Sequence, residues 1–129
     1  MVDRGLADTS VFIARESGRL LDSTKLPDQL AVSIITIGEL EAGVLIAGNV
    51  SSRARRLGTL TAARSLQPLP VDESVASAWA ELRAVLRQQG RRMPLNDSWI
   101  AATAMSLALA VVTQDDDYEG IAGLDVIKV

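Results

Sequence analysis

At 129 residues with 48% apolar side chains, the chain is sized for one packed domain, residues 1–129, with a core of its own. It has no Cys and no His, which excludes disulfide frameworks, thiolate–zinc sites and catalysis by Cys or His. Its net charge of −3 argues against binding nucleic acid through global charge but leaves room for a local basic face. What remains for chemistry are carboxylates, hydroxyls, arginines and the lysines Lys25 and Lys128. Carboxylates are hard oxygen ligands suited to Mg²⁺ or Mn²⁺. No apolar run is long enough to span a membrane, and the N-terminus lacks a leader pattern, so a cytoplasmic protein is expected.

Taken in chain order, residues Arg4 to Ala7 read as a short buried strand, and Val11 to Leu21 as a helix with Arg15, Glu16 and Arg19 on its outer face. Asp22 to Asp28 is loop or a short helix. Leu30 to Ile35 is β-branched and short, a second strand. Thr36, with Glu39 three residues on, has capping-box spacing, and the helix it opens runs through Leu40 and Val44 to Gly48. A helix over Asn49–Leu66 follows, then a connector or short strand at Gln67–Val71. Asp72 to Gln89 is amphipathic, with Val75, Trp79, Leu82, Val85 and Leu86 at helical spacing, and Gly90 ends it. After the loop Arg91–Leu95, Asn96 is expected to cap an Ala-rich helix from Asp97 to Leu107. Strands at Ala108–Thr113 and Leu124–Val129 flank an acidic turn, Gln114 to Gly120. Alternating strands and helices predict a mainly parallel sheet with helices on both faces.

On that scheme four acids fall at one edge. Asp8 leaves the first strand, Glu39 lies early in the helix after the second, Asp97 opens a helix, and Asp115 follows the strand ending at Thr113. Open α/β folds bind ligands at the carboxyl ends of their strands. Each acid also has an ordinary explanation. Asp8 or Ser10 can cap a helix, Glu39 can complete a capping box, Asp97 can answer a helix dipole, and Asp115–Asp117 can be a solvated turn. Carboxylates gathered without basic neighbours repel one another unless a cation compensates them. Bound Mg²⁺ would do so, and it lowers the pKa of its water and orients a phosphodiester. The chemistry this implies is metal-assisted phosphodiester hydrolysis.

Four stretches carry a resemblance: Ala7-Asp8-Thr9-Ser10, Ser33 to Leu40 around Glu39, Pro94 to Ala104 around Asp97, and Val112 to Tyr118 around Asp115. In order and spacing they resemble the four motifs of PIN-domain ribonucleases, and more narrowly the VapC-type toxins of bacterial toxin–antitoxin pairs. The resemblance implies an α/β/α sandwich of three layers. It implies an acidic quartet of Asp8, Glu39, Asp97 and Asp115 that binds Mg²⁺ or Mn²⁺ and positions a water, with Asp117 as a further acid. Thr9, Ser10 and Thr113 match polar positions that support the pocket. Three consecutive acids leave the choice among Asp115, Asp116 and Asp117 open. It also implies a homodimer, a cognate antitoxin whose Arg can enter the pocket, and structured RNA, tRNA or rRNA, as substrate.

RNA approaching an acidic pocket needs cations at its rim. Arg83, Arg87 and Arg91 share a helix face, with Arg92 beyond; Arg87, Arg91 and Arg92 are the candidate RNA contacts, against the alternative of a solvated basic face. Arg53, Arg55, Arg56 and Arg64 form a second cluster. Trp79 reads as core, Trp99 as core or dimer surface, and Tyr118 is the one aromatic near the acidic turn. The apolar surplus at Phe12, Ile13 and Val44–Ile46 suits a dimer or an antitoxin groove. Phosphoaspartate receivers and haloacid-dehalogenase-like phosphatases fit poorly. Asp8 has no adjacent acid, Ser10 stands where the phosphatases place a second Asp, and Lys128 is terminal. A PIN-fold module that binds RNA or protein without catalysis remains the alternative to an enzyme.

Overall fold

The computed structural model describes residues 3–129. Strands β1 (Arg4–Ala7), β2 (Gln29–Val32), β3 (Ala110–Thr113) and β4 (Val126–Lys128) form one sheet in the order β2-β1-β3-β4, with every neighbouring pair parallel. Register decides the layers. Leu6 pairs with Ala31 and Val111, and the next rung joins Ala7 to Val32 and Val112. Successive side chains of a strand face opposite ways. The first rung therefore packs with Leu82, Leu86, Ile100 and Ala104, and the second with Val11, Phe12, Leu40 and Leu60. Helices α4 (Glu73–Gln88) and α5 (Leu95–Ser106) cover one face; α1 (Thr9–Glu16), α2 (Ile34–Leu45) and α3 (Val50–Arg64) cover the other. This is the three-layer α/β/α sandwich. The centre of the sheet is tight: a Cβ on Gly5 would sit 2.7 Å from Val112 Cγ2 and 3.1 Å from Pro27 Cγ. No helix among the described residues is long and apolar enough to cross a membrane.

Several element ends differ from expectation. Helix α1 starts at Thr9 and stops at Glu16, because Gly18 adopts φ +72° and the N–H of Arg19 closes back on Ala14 O at 2.8 Å. That is a Schellman ending, and it leaves Leu20 exposed instead of on the helix. Strand β2 ends at Val32, and Ile34 and Ile35 belong to α2. Ser33, not Thr36, is the N-cap, its Oγ accepting from Ile35 N–H at 3.0 Å. Thr36 is thereby turned inward and fully buried. Helix α5 starts at Leu95, so Asn96 and Asp97 lie inside its first turn and Asn96 is no cap. Strands β3 and β4 are shorter than read, beginning at Ala110 and Val126. The Gln67–Val71 connector contributes one bridge, Leu69 to Ser33, beyond the end of β2.

Candidate functional site

Asp8 is the first residue after β1 and the N-cap of α1, and it is almost completely buried. Both of its oxygens are engaged. Oδ1 accepts from Ser10 Oγ at 2.6 Å and from Ser10 N–H at 3.1 Å, and Oδ2 accepts from Thr113 Oγ1 at 2.7 Å. The capping role and the chemical role thus fall on one side chain. The two hydroxyls are held in turn by consecutive backbone donors: Gln114 N–H to Ser10 Oγ at 3.0 Å and Asp115 N–H to Thr113 Oγ1 at 2.9 Å. Both hydroxyl protons are spent on Asp8, so the 3.3 Å approach of Ser10 Oγ to Thr113 Oγ1 is a contact between acceptors. Burial raises the Asp8 pKa, the hydroxyl bonds pull it down, and the nearby Asp115 charge raises it again.

Glu39 reaches the same edge from α2. Thr9 Oγ1 donates to its Oε1 at 2.7 Å. Because Thr9 has only one proton to give, the 3.0 Å contact between Thr36 Oγ1 and Thr9 Oγ1 runs with Thr36 as donor. Thr36, expected to cap a helix, instead starts a two-step relay that orients Glu39.

Asp97, in the first turn of α5, carries the strongest perturbation of any acid. Burial, then the Asp117 carboxyl that shares a hydrogen bond with it and adds a like charge, push it up to about 7; the Tyr118 hydroxyl opposes this and Asp8 adds a smaller rise. Tyr118 is wholly buried in the core against Leu82 and Ile100. Its hydroxyl faces Asp97 but is buried without a completed hydrogen bond. Burial, Asp8 and Asp97 raise its pKa further above its ordinary alkaline value.

The three consecutive acids separate. Asp115 lies where its charge acts on Asp8, Asp117 touches Asp97, and Asp116 turns outward to an ion pair with Lys128. Among the described residues no three carboxylates are gathered closely enough to grip an ion as they stand. The donors are nonetheless all hard oxygens, and no basic side chain pairs with Asp8, Asp97, Asp115 or Asp117 among the described residues. A raised carboxyl against a second carboxyl, beside an unpartnered phenol, is an arrangement that a divalent cation relieves.

The arginines also separate. Arg83, Arg87, Arg91 and Arg92 line a groove of about 640 Å³ floored by Leu86 and Met93. Arg83 lies 5.2 Å over the ring of Trp79, which stacks on Trp99 at 4.4 Å and 4° and donates its indole N–H to Ser98 Oγ at 3.0 Å. Trp79 is thus half-buried, bridging α4 to the first turn of α5, instead of sealed in the core. Arg91 donates to the backbone carbonyls of Asp117 and Glu119. Arg87 and Arg92 form no ion pair or side-chain hydrogen bond among the described residues. In the second cluster Arg56 donates to Gly43 O at 2.6 Å and Arg64 pairs with Glu41 at 3.3 Å, so both serve the α2–α3 packing. Leu45 and Ile46, at the end of α2, are 72% and 78% exposed, and Val50 beyond them 86%. The sequence marks Thr36 as a helix cap and Arg91 as a candidate RNA contact; that Thr36 orients Glu39 through Thr9, and that Arg91 is tied to the acidic loop beside Tyr118, depends on contacts between residues distant in sequence.

The sequence matches the PIN domain family over residues 6–124. It is 49% identical over 128 residues to Ribonuclease VapC5 of Mycobacterium tuberculosis, covering 97% of this chain and 95% of that one. It is 45% identical over 128 residues to Ribonuclease VapC4 of the same organism, covering 99% and 98%. The fold superposes on the crystal structure of VapBC-5, a member of the VapBC family of toxin–antitoxin systems from M. tuberculosis, with a TM-score of 0.90 at 45% identity, covering 98% of this chain and 99% of that one.

Proposed function

The chain belongs to the PIN-domain family, among the VapC-type ribonucleases, and from that premise we propose that it is an endoribonuclease toxin that cuts structured RNA, tRNA or rRNA, with Mg²⁺ or Mn²⁺. The observation that carries this reading is the uncompensated acidic edge: Asp8 locked by Ser10 and Thr113, and Asp97 raised to about 7 against Asp117.

Asp8, Asp97, Asp115 and Asp117, with Glu39 from α2, are the residues that would hold the ion. Bound there, a divalent cation would supply a water of lowered pKa and offset charge on the phosphodiester. The chain's own contribution is positional. Ser10 and Thr113 hold both Asp8 oxygens in one orientation, so that carboxylate needs no reorganisation when substrate arrives. Thr9 and Thr36 aim Glu39. Burial and the neighbouring Asp117 raise Asp97 to about 7, so a bound cation would favour its ionised form. Arg87 and Arg92 meet the RNA backbone from the groove whose Arg91 is bonded to the acidic loop. The exposed Leu45, Ile46 and Val50 serve the cognate antitoxin or a homodimer, and an antitoxin Arg would answer the same uncompensated charge.

The decisive experiment is incubation of total RNA with the purified protein and Mn²⁺ or Mg²⁺, beside EDTA and Asp8→Asn. Metal-dependent cleavage lost in both controls is expected. Absence of cleavage by folded, antitoxin-free protein, together with calorimetry that detects no Mn²⁺ binding, would replace this reading with a binding module that does not cut.

A further inference from the structure

The loop between β3 and β4 carries Asp115, Asp117 and Tyr118, but little of its own backbone holds it. Asp115 N–H is tied to Thr113 Oγ1 and Glu119 N–H to Asp116 O at 3.2 Å. Gln114 N–H at the start of the loop is tied to Ser10 Oγ, Asp116 pairs with Lys128, and Tyr118 is packed in the core. The carbonyls on either side of Tyr118 are anchored from another layer. Helix α4 ends in a Schellman motif: Gly90 takes φ +63°, its N–H meets Arg87 O at 3.1 Å, and Arg91 N–H closes on Leu86 O at 2.9 Å. That turn fixes the direction in which Arg91 leaves the helix. Its guanidinium then spans two carbonyls of the acidic loop, Asp117 O at 2.9 Å through Nη2 and Glu119 O through Nη1. Gly120 curls past the same group at φ +73°, where a Cβ would stand 3.5 Å from Nη1.

We propose that Arg91 is a positioning residue for the acidic loop: by clamping the backbone on both sides of Tyr118 it holds Asp117 against Asp97 and the Tyr118 hydroxyl toward the same carboxyl. The clamp requires Arg. Two carbonyls two residues apart need two donors in a fixed fork, and a Lys ammonium is a point charge on a flexible stem. The same geometry divides the groove's arginines. Arg91 is spent inward on the protein, and Arg87 and Arg92 are the ones available to RNA. The assignment to metal binding rests on the function proposed above, whereas the clamp itself does not, so the two are tested separately.

Hydrogen exchange on the metal-free protein reads the clamp. Arg91→Lys is expected to speed exchange across residues 115–120 while the amides of β1 and β3 keep their protection; Arg91→Ala serves as a second variant where it folds. Unchanged exchange in that loop would overturn the clamp. Calorimetric titration with Mn²⁺ reads the positioning role, with affinity expected to fall roughly ten-fold in Arg91→Lys. Steady-state cleavage should show a lower kcat with KM little altered, whereas Arg92→Ala should raise KM. Faster loop exchange with Mn²⁺ affinity and kcat unchanged would overturn the positioning role, as would a rise in KM alone. If the wild-type protein neither binds Mn²⁺ nor cleaves RNA, the functional reading fails, and the exchange experiment still decides the clamp.

Discussion

Thr113 Oγ1 donates to Asp8 Oδ2 at 2.7 Å and accepts the N–H of Asp115 at 2.9 Å, so one fully buried hydroxyl fixes a carboxylate from β1 and the first acid after β3. Thr113→Val keeps the shape and removes both bonds. It leaves Asp8 Oδ2 and a backbone donor unpaired, and a buried unpaired polar group costs about 1–3 kcal/mol. Urea unfolding at neutral pH should show a loss of that size. Cleavage should fall as well, because Asp8 keeps its Ser10 bonds but loses the hydroxyl that orients its second oxygen. Thr113→Ser, which keeps the hydroxyl, should retain most of both.

The raised acids set a pH dependence with a definite sign. Asp8 and Asp97 both hold their protons to higher pH in the folded protein than in the unfolded chain, Asp97 up to about 7. Between roughly pH 4 and 7 the native state therefore binds more protons than the unfolded state, and stability falls as pH rises through that window. Without metal, the denaturant midpoint should be higher at pH 5 than at pH 8. Saturating Mn²⁺ should flatten or reverse that slope, since an ion favours the ionised carboxylates. Asp97→Asn should stabilise the metal-free protein at pH 8. A midpoint that rises from pH 5 to 8 without metal would contradict the assignment.

How much of this was legible beforehand depended on the range of the interaction. The unbroken apolar runs Leu6-Ala7 and Val111-Val112 point to a sheet buried on both faces, and that needs only local sequence. Helix starts were misread where two capping signals compete. Ser33 and Thr36 both precede a helical stretch, and the Thr36–Glu39 spacing suggested a capping box that the structure replaces with a relay through Thr9. Asn96 is a strong cap by type, yet the helix starts at Leu95, where Ser98 Oγ bonds Leu95 O at 2.5 Å and receives the Trp79 indole. The acids could be placed at one edge because strand ends and helix starts share that edge. The separation of Asp115, Asp116 and Asp117 could not be read, because it depends on Lys128 and Asp97, which are distant in sequence. The same holds for the part played by Arg91.

Helix α5 ends on a residue ill suited to its conformation. Ala108 sits at φ +53°, with its N–H on Met105 O and the next N–H, from Leu109, on Ala104 O at 2.9 Å. This is the Schellman position that Gly18 and Gly90 fill in α1 and α4. An L-residue there carries a left-handed penalty that Gly avoids, partly offset by the freedom Gly gives the unfolded chain. Ala108→Gly is expected to raise stability by about 0.5–1 kcal/mol with activity unaltered. Thermal or urea unfolding checks it, and a destabilised variant would show that the Ala108 methyl contributes packing that outweighs the strain.

Glu39 offers a separation of charge from structure that Asp8 does not. Its Oε1 accepts one hydroxyl bond, from Thr9, and it makes no ion pair among the described residues. Glu39→Gln keeps an oxygen for Thr9 and changes only the charge, so stability should stay within about 0.5 kcal/mol of wild type. If Glu39 belongs to the ion's ligand set, the same variant should weaken Mn²⁺ binding and lower kcat roughly ten-fold or more. Thr36→Val is the complementary test. It leaves the carboxylate charged but removes the donor that fixes Thr9, so Glu39 loses orientation without losing charge. Its effect on kcat should be smaller than that of Glu39→Gln and in the same direction. A Glu39→Gln protein that binds Mn²⁺ and cleaves RNA as wild type does would remove Glu39 from the site and leave the Thr36–Thr9–Glu39 relay as a structural tie between α1 and α2.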